Sequence, residues 1–241
     1  MSEMIRRKAV LFDVDDTLYD QTVPFMEAYA DFFGSVPPVP AEAVCPVMRQ
    51  YSNQVYSRAL AGEITLEEVY TYRMTKAMET FGVTITEKEA LAFQNIYAGR
   101  QKQIHLSGRM EEILEYCSER AELGIITNGP SGHQWNKVKS LGVERWIPHE
   151  NIFVSADVGA QKPDGKIFDH AKRVMHLEDV EMWFVGDSWE LDVKGAVNAG
   201  WNAVWMNRRE HGRTCGATPA YEVRNEEELF RALRENIIPE S

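Results

Sequence analysis

The apolar run Val10-Leu11-Phe12 ends abruptly in Asp13-Val14-Asp15-Asp16-Thr17-Leu18-Tyr19. A short, continuously apolar segment is the signature of a buried strand covered on both faces, as in a parallel sheet. Three carboxylates straight after such a strand repel one another and lose hydration, so they need a neutralising partner. Taken alone, the stretch also fits a solvated acidic turn. The remaining chain decides between that and a carboxylate pair that holds a cation and handles phosphate.

The same texture returns later. Gly124-Ile125-Ile126, Ile152-Phe153-Val154, Met182-Trp183-Phe184-Val185 and Ala203-Val204-Trp205-Met206 are apolar runs. Between them lie helical faces, such as Trp135, Val138 and Leu141, and Ile167, Phe168, Ala171, Val174 and Met175. This alternation predicts right-handed βαβ units and an α/β fold, a Rossmann-like parallel sheet with helices on both sides. Tyr221–Val223 adds a candidate short strand, and Glu226–Glu235 a closing helix.

The segment from Gln21 to about Gln103 reads differently. Phe25, Tyr29 and Phe32-Phe33 fall at helical spacing, and Glu42–Leu60, Thr65–Phe81 and Thr86–Gln103 follow as helical stretches. Thr65 and Thr86 stand as capping residues before first-turn acids, and Glu89 completes a capping box with Thr86. The predicted organisation is a core of residues 1–19 and 104–241 with an all-helical insert over 20–103. Most aromatic residues of the insert are expected to be core.

With 26 basic and 37 acidic residues the net charge is −11, which argues against a nucleic-acid polymer as partner. A small phosphorylated metabolite remains compatible if cations sit locally. Cys45, Cys117 and Cys215 form no CxxC pair, which suits a reducing compartment. The apolar run after Arg6-Arg7-Lys8 is too short for a signal-peptide core or a membrane span. The expectation is a soluble cytoplasmic protein with no membrane partner and an undetermined oligomeric state.

In an open parallel sheet, ligands bind outside the carboxyl ends of the strands, so chemical residues are expected there. Thr127-Asn128-Gly129 follows one strand, offering a hydroxyl and backbone N–H groups to an anion. Gly186-Asp187-Ser188 follows another, with Asp192 about one helical turn on. Lys162-Pro163 precedes a helix and supplies a candidate counter-charge. Each tripeptide alone is also an ordinary turn or cap; their joint order is what discriminates. An EF-hand is rejected, since Leu18 stands where a calcium loop needs glycine and Pro24 where it needs glutamate. The six histidines show no metal-ligand spacing, and whether His133 lines the site stays open.

Asp13-Val14-Asp15-Asp16-Thr17, Thr127-Asn128-Gly129, Lys162-Pro163 and Gly186-Asp187-Ser188 with Asp192 resemble the four motifs of the haloacid dehalogenase-like (HAD) hydrolase superfamily. The resemblance extends over nearly the whole chain, including a helical cap of the C1 type. Within the superfamily, Thr127–Gln134, Gly159–Phe168 and Val185–Gly200 are similar to pyrimidine 5′-nucleotidases and N-acylneuraminate-9-phosphatases. The resemblance implies Asp13 as nucleophile and Asp15 as proton donor and acceptor. It implies Mg²⁺ held by Asp13, the Asp15 carbonyl and Asp187, supported by Asp192. Thr127, Asn128, Gly129 and Lys162 are then implied as phosphoryl-binding, with Lys162 part of the catalytic set. An aspartate at position 15 separates the phosphatases and phosphomutases from the family's dehalogenases and P-type ATPases. The expected activity is a phosphomonoester hydrolase for a nucleoside monophosphate or sugar phosphate, under a cap that opens and closes. A phosphomutase of the β-phosphoglucomutase type, or a non-catalytic phospholigand-binding module, are the alternatives.

Overall fold

The computed structural model describes residues 7–240. Two compact units result: Gln21–Ile104 forms one, and the chain up to Asp20 joins the chain from His105 onwards to form the other.

In the larger unit, six strands form one sheet. They are β1 (Lys8–Phe12), β2 (Glu122–Thr127), β3 (Ile152–Val154), β4 (Glu181–Gly186), β5 (Asn202–Met206) and β6 (Tyr221–Val223). Their order is β3-β2-β1-β4-β5-β6, and every pairing is parallel. The chain winds outward in both directions from β1, so the order reverses between β1 and β4. That reversal opens a crevice at the carboxyl edge.

The helices of this unit follow from the expected faces. On one side of the sheet, Ala9, Leu11, Ile126, Phe184 and Trp205 pack against Ile167, Phe168 and Ala171. These last three lie on the helix Gly165–Val174. Val10 and Phe12, pointing the other way by strand alternation, are equally inaccessible. A central strand sealed on both faces explains why β1 can be apolar throughout.

The smaller unit contains four helices, α1 (Thr22–Phe33), α2 (Ala41–Leu60), α3 (Leu66–Thr80) and α4 (Glu87–Gln101). Its core gathers Phe25, Tyr29, Met74, Met78, Phe93 and Tyr97, with Phe25 edge-on to Phe93 and Tyr97 at 5.5 and 5.8 Å. Thr86 and Glu89 form the expected capping box. Thr65 and Glu68 form a second one, where the expectation is a capped start alone. Among the described residues, no helix is long and apolar enough to cross a membrane.

The remaining helices of the larger unit are α5 (Gly108–Ser118), α6 (Ser131–Leu141), α7 (Ser155–Val158), α8 (Gly165–Val174), α9 (Lys194–Asn198) and α10 (Glu226–Ala232). Two differ from expectation. The run through Leu191, Ala196 and Ala199, helical by its spacing, opens with a π-helical turn, Trp189–Val193, before α9. The closing helix changes to a π-helical turn at Leu233–Ile237. A π turn carries one extra residue and re-aims its side chains, which matters at Asp192.

Candidate active site

Phe12 lies opposite Val185 on one side and Ile125 on the other. Asp13, Asp187 and Thr127 therefore leave the sheet at one edge. The Asp13 N–H still donates to the Val185 carbonyl at 2.9 Å, which ties the first acid to the adjacent strand. Asp13, Asp187 and Asp192 each offer an oxygen, and these oxygens all lie within 4.8 Å of one another.

One buried cation serves this group. Lys162, 2% exposed, has its Nζ 2.6 Å from Asp13 Oδ1 and 2.7 Å from Asp192 Oδ1. Burial opposes the charge on Lys162, but the two carboxylates outweigh it and raise its pKa. Asp192 is held from a second direction, since its Oδ2 accepts the Ser188 N–H at 2.8 Å. Gly186 makes room for it: a Cβ there would sit 2.5 Å from Asp192 atoms.

The balance of charge remains negative. Burial, opposed by Lys162 and reinforced by Asp192 and Asp15, brings the Asp13 carboxyl up to about 7. Asp187 is raised well above the carboxylate range by burial, with Asp192, Asp13 and Asp16 adding to the rise. Three acids against one lysine is an arrangement that a divalent cation relieves.

Asp15 has a different environment from Asp13. Lys137 Nζ lies 2.8 Å from Asp15 Oδ1 and 2.5 Å from Oδ2. Tyr19 donates its hydroxyl to Oδ1 at 2.5 Å, and Gln134 Nε2 approaches Oδ2 at 3.4 Å. Burial alone would raise Asp15, but Lys137 and the Tyr19 hydroxyl prevail and bring it down to about 2, with His133 adding to the fall. Sequence reasoning missed Lys137 and Tyr19. One signal was present: α6 buries Gln134, Lys137, Val138 and Leu141, and two polar residues at the head of a buried stripe call for a polar partner.

One expectation for the segment after β2 is corrected. The Gly129 N–H, expected to face an anion, donates to Ser155 Oγ at 3.0 Å. The Asn128 side chain turns to the main chain of Lys162, donating to its carbonyl and accepting from its N–H, both at 2.9 Å. Thr127 ends β2 and is 1% exposed. Gly129, at φ +151°, is under Gln134, where a Cβ would meet Nε2 at 2.6 Å.

Asp16, given no chemistry by sequence, is a structural residue. It is 3% exposed with a left-handed φ of 56°, a conformation aspartate tolerates. Arg209 Nη2 binds its Oδ1 at 2.8 Å, and Arg208 donates to the carbonyls of Asp16 and Thr17, both at 3.1 Å. The loop after β5 thus holds the turn after β1.

With the parallel sheet, the acid cluster and its lysine in view, comparison with known proteins becomes informative. The family model described as haloacid dehalogenase-like hydrolase matches residues 7–200. The chain belongs to this family. It is 28% identical to the HAD-hydrolase YfnB of Bacillus subtilis, over 95% of this chain and 97% of the relative. A crystal structure of YfnB bound to magnesium, described as revealing interdomain movement, superposes with a TM-score of 0.72 at 25% identity, covering 95% of this chain and 99% of that one. The glyceraldehyde 3-phosphate phosphatase of Methanopyrus kandleri is 24% identical over 95% of this chain and 97% of its own. The pyrimidine 5′-nucleotidase PynA of Streptococcus pneumoniae is 24% identical over 96% and 97%. As a HAD hydrolase, the chain is an enzyme.

Proposed function

We propose that this enzyme is a Mg²⁺-dependent phosphomonoester hydrolase acting on a small phosphorylated metabolite, a nucleoside monophosphate or a sugar phosphate. The observation that carries the reading is the meeting of Asp13, Asp187 and Asp192 around one buried lysine. Two of the relatives named above are a phosphatase and a nucleotidase, which supports the class.

The residues present fit the metal. All three donors are carboxylate oxygens, the hard ligands Mg²⁺ selects, and ligand oxygens around one octahedral ion lie about 3–4 Å apart, compatible with oxygens within 4.8 Å of one another. Asp13 and Asp187 would hold it with the carbonyl of Asp15, and Asp192, whose two oxygens already meet Lys162 and the Ser188 N–H, would support from behind. When bound, Mg²⁺ neutralises charge on the nucleophile and on the phosphoryl group.

The chain's own residues then divide the work. An Asp13 carboxylate oxygen attacks phosphorus in line, the bond from phosphorus to the leaving oxygen breaks, and an aspartyl-phosphate forms. Asp15 takes up a proton in the substrate complex, where the adjacent phosphoryl charge raises its pKa from that of the free enzyme, gives it to the leaving oxygen, and then takes one from the water that attacks the intermediate and releases phosphate. Lys162 and Thr127, with the Asn128 amide, bind the phosphoryl oxygens, and Lys162 offsets the negative charge Asp13 meets there. The helical unit is read as the cap that selects the leaving group. Three cysteines, all free, suit a cytoplasmic setting.

The test is release of inorganic phosphate from p-nitrophenyl phosphate and from panels of nucleoside monophosphates and sugar phosphates, with Mg²⁺ and with excess EDTA. Asp13→Asn abolishes turnover if the reading holds. Near-normal activity in that variant, or full activity in EDTA, overturns it. Isomer formation without phosphate release identifies a mutase instead.

A further inference from the structure

We propose that Lys137 is the positioning residue for Asp15, holding its carboxylate by both oxygens in the orientation that serves the leaving group. The inference rests on the phosphatase reading above, and deepens it by one residue.

Lys137 is 4% exposed, and a lysine this deep in a helix face is costly unless paired. Its partner is Asp15 alone among the ion pairs described for it, with contacts of 2.8 and 2.5 Å to the two oxygens. Two further groups close the arrangement. Tyr19 donates to Oδ1, and Gln134 spans from the Asn128 carbonyl at 2.9 Å to Oδ2 at 3.4 Å. Asp15 therefore has a fixed rotamer although its side chain is 23% exposed. Lys162 and Asp13 form the corresponding pair on the metal side. The two acids of the motif after β1 thus have separate lysines, contributed by separate segments: the loop before α8 for Asp13, and α6 for Asp15.

The geometry has a specific chemical consequence. A proton donor matters in proportion to the basicity of the oxygen that leaves. An alkyl oxygen departs as a strong base and needs the proton; a dinitrophenolate departs unaided. A group that only orients Asp15 shares this selectivity, whereas one that merely supports the fold slows all substrates alike. The relevant quantity is kcat/KM, which reports steps up to formation of the aspartyl-phosphate and excludes its later hydrolysis.

The experiment compares the unmodified enzyme, Lys137→Met and Asp15→Asn with Mg²⁺ on two substrates: a primary alkyl phosphate the enzyme hydrolyses, and 2,4-dinitrophenyl phosphate. Lys137→Met is expected to lower kcat/KM on the alkyl phosphate about 100-fold, the lower range of general-acid effects, and on the dinitrophenyl ester by less than about threefold. In an Asp15→Asn background, the lysine substitution is expected to add less than about threefold on either substrate, since residues acting as one unit are not additive. Lys137→Gln, which retains an NH₂ donor group without the charge, repeats the comparison should the methionine variant fail to fold. Equal losses on both substrates, or a full additional loss in the Asp15→Asn background, overturn the positioning role and leave the phosphatase reading standing. An unmodified enzyme inert towards every phosphomonoester overturns the phosphatase reading, and the positioning role with it.

Discussion

The side-chain amide of Asn128 grips the main chain of Lys162 from both sides, donating to its carbonyl and accepting from its N–H at 2.9 Å each. Residues from different loops are thereby locked together, and the lysine's ammonium is delivered to Asp13 and Asp192 from a fixed origin. Asn128→Ala leaves two main-chain groups of a buried residue unsatisfied. A loss of about 2 kcal/mol in unfolding free energy is expected, with activity falling more than stability. Urea unfolding and phosphate release measured on one preparation check both; unchanged activity contradicts the delivery role.

Gly186 and Asp192 share a space that admits no methyl group. A Cβ at Gly186 would lie 2.5 Å from Asp192 Cβ and Cγ. Gly186→Ala should weaken Mg²⁺ binding at least tenfold by shifting that carboxylate, and cost about 1–3 kcal/mol from overpacking. Gly124→Ala is the control: its Cβ would meet the Asn151 carbonyl at 2.9 Å and Leu11 at 3.0 Å, away from the acids. It should lose stability while retaining Mg²⁺ affinity by titration calorimetry.

Burial and neighbouring acids raise Asp13 from 3.8 to about 7, and also raise Asp187. A carboxyl with a raised folded pKa binds more protons when folded, so between about pH 4 and 7 stability falls as pH rises, by up to ~1.4 kcal/mol per pH unit per group. Bound Mg²⁺ keeps these groups ionised and removes the penalty. Melting in EDTA should therefore occur at lower temperature at about pH 7.5 than at about pH 5 from this contribution. Added MgCl₂ should raise Tm more at the higher pH, and an equal rise at both would argue against these acids as the ligands.

Asp15 runs the other way. Its folded pKa is brought down from 3.8 to about 2 by Lys137 and Tyr19 against the effect of burial. A depressed carboxyl contributes stability above its unfolded pKa and loses it as pH falls from about 4 through about 2. Asp15→Asn should then cost roughly 2 kcal/mol at neutral pH, with the difference from the unmodified protein vanishing near pH 2. Denaturant titrations across that range measure it; a constant difference would sink the assignment of the ion pair.

The parallel sheet was legible because its evidence is local. Val10-Leu11-Phe12 and the later runs are apolar enough to be sealed on both faces, and all six expected strands, Tyr221–Val223 among them, join one sheet. The capped helices at Thr65 and Thr86 were legible for the same reason, since a capping box spans four residues. The acids after β1 and β4 could be nominated from their places at strand ends, because the fold brings those ends to one edge.

What the sequence could not supply was which charge answers which. Asp13, Asp15 and Asp16 are near neighbours in the chain, yet each meets a different cation: Lys162, Lys137 and Arg209. Those partners come from the loop before α8, from α6 and from the loop after β5. Periodicity specifies which face a residue occupies, and composition specifies that acids need counter-charges. The pairing depends on distances of a few ångströms between segments more than a hundred residues apart, and Coulomb energy at such short range is decided only when the sheet has closed.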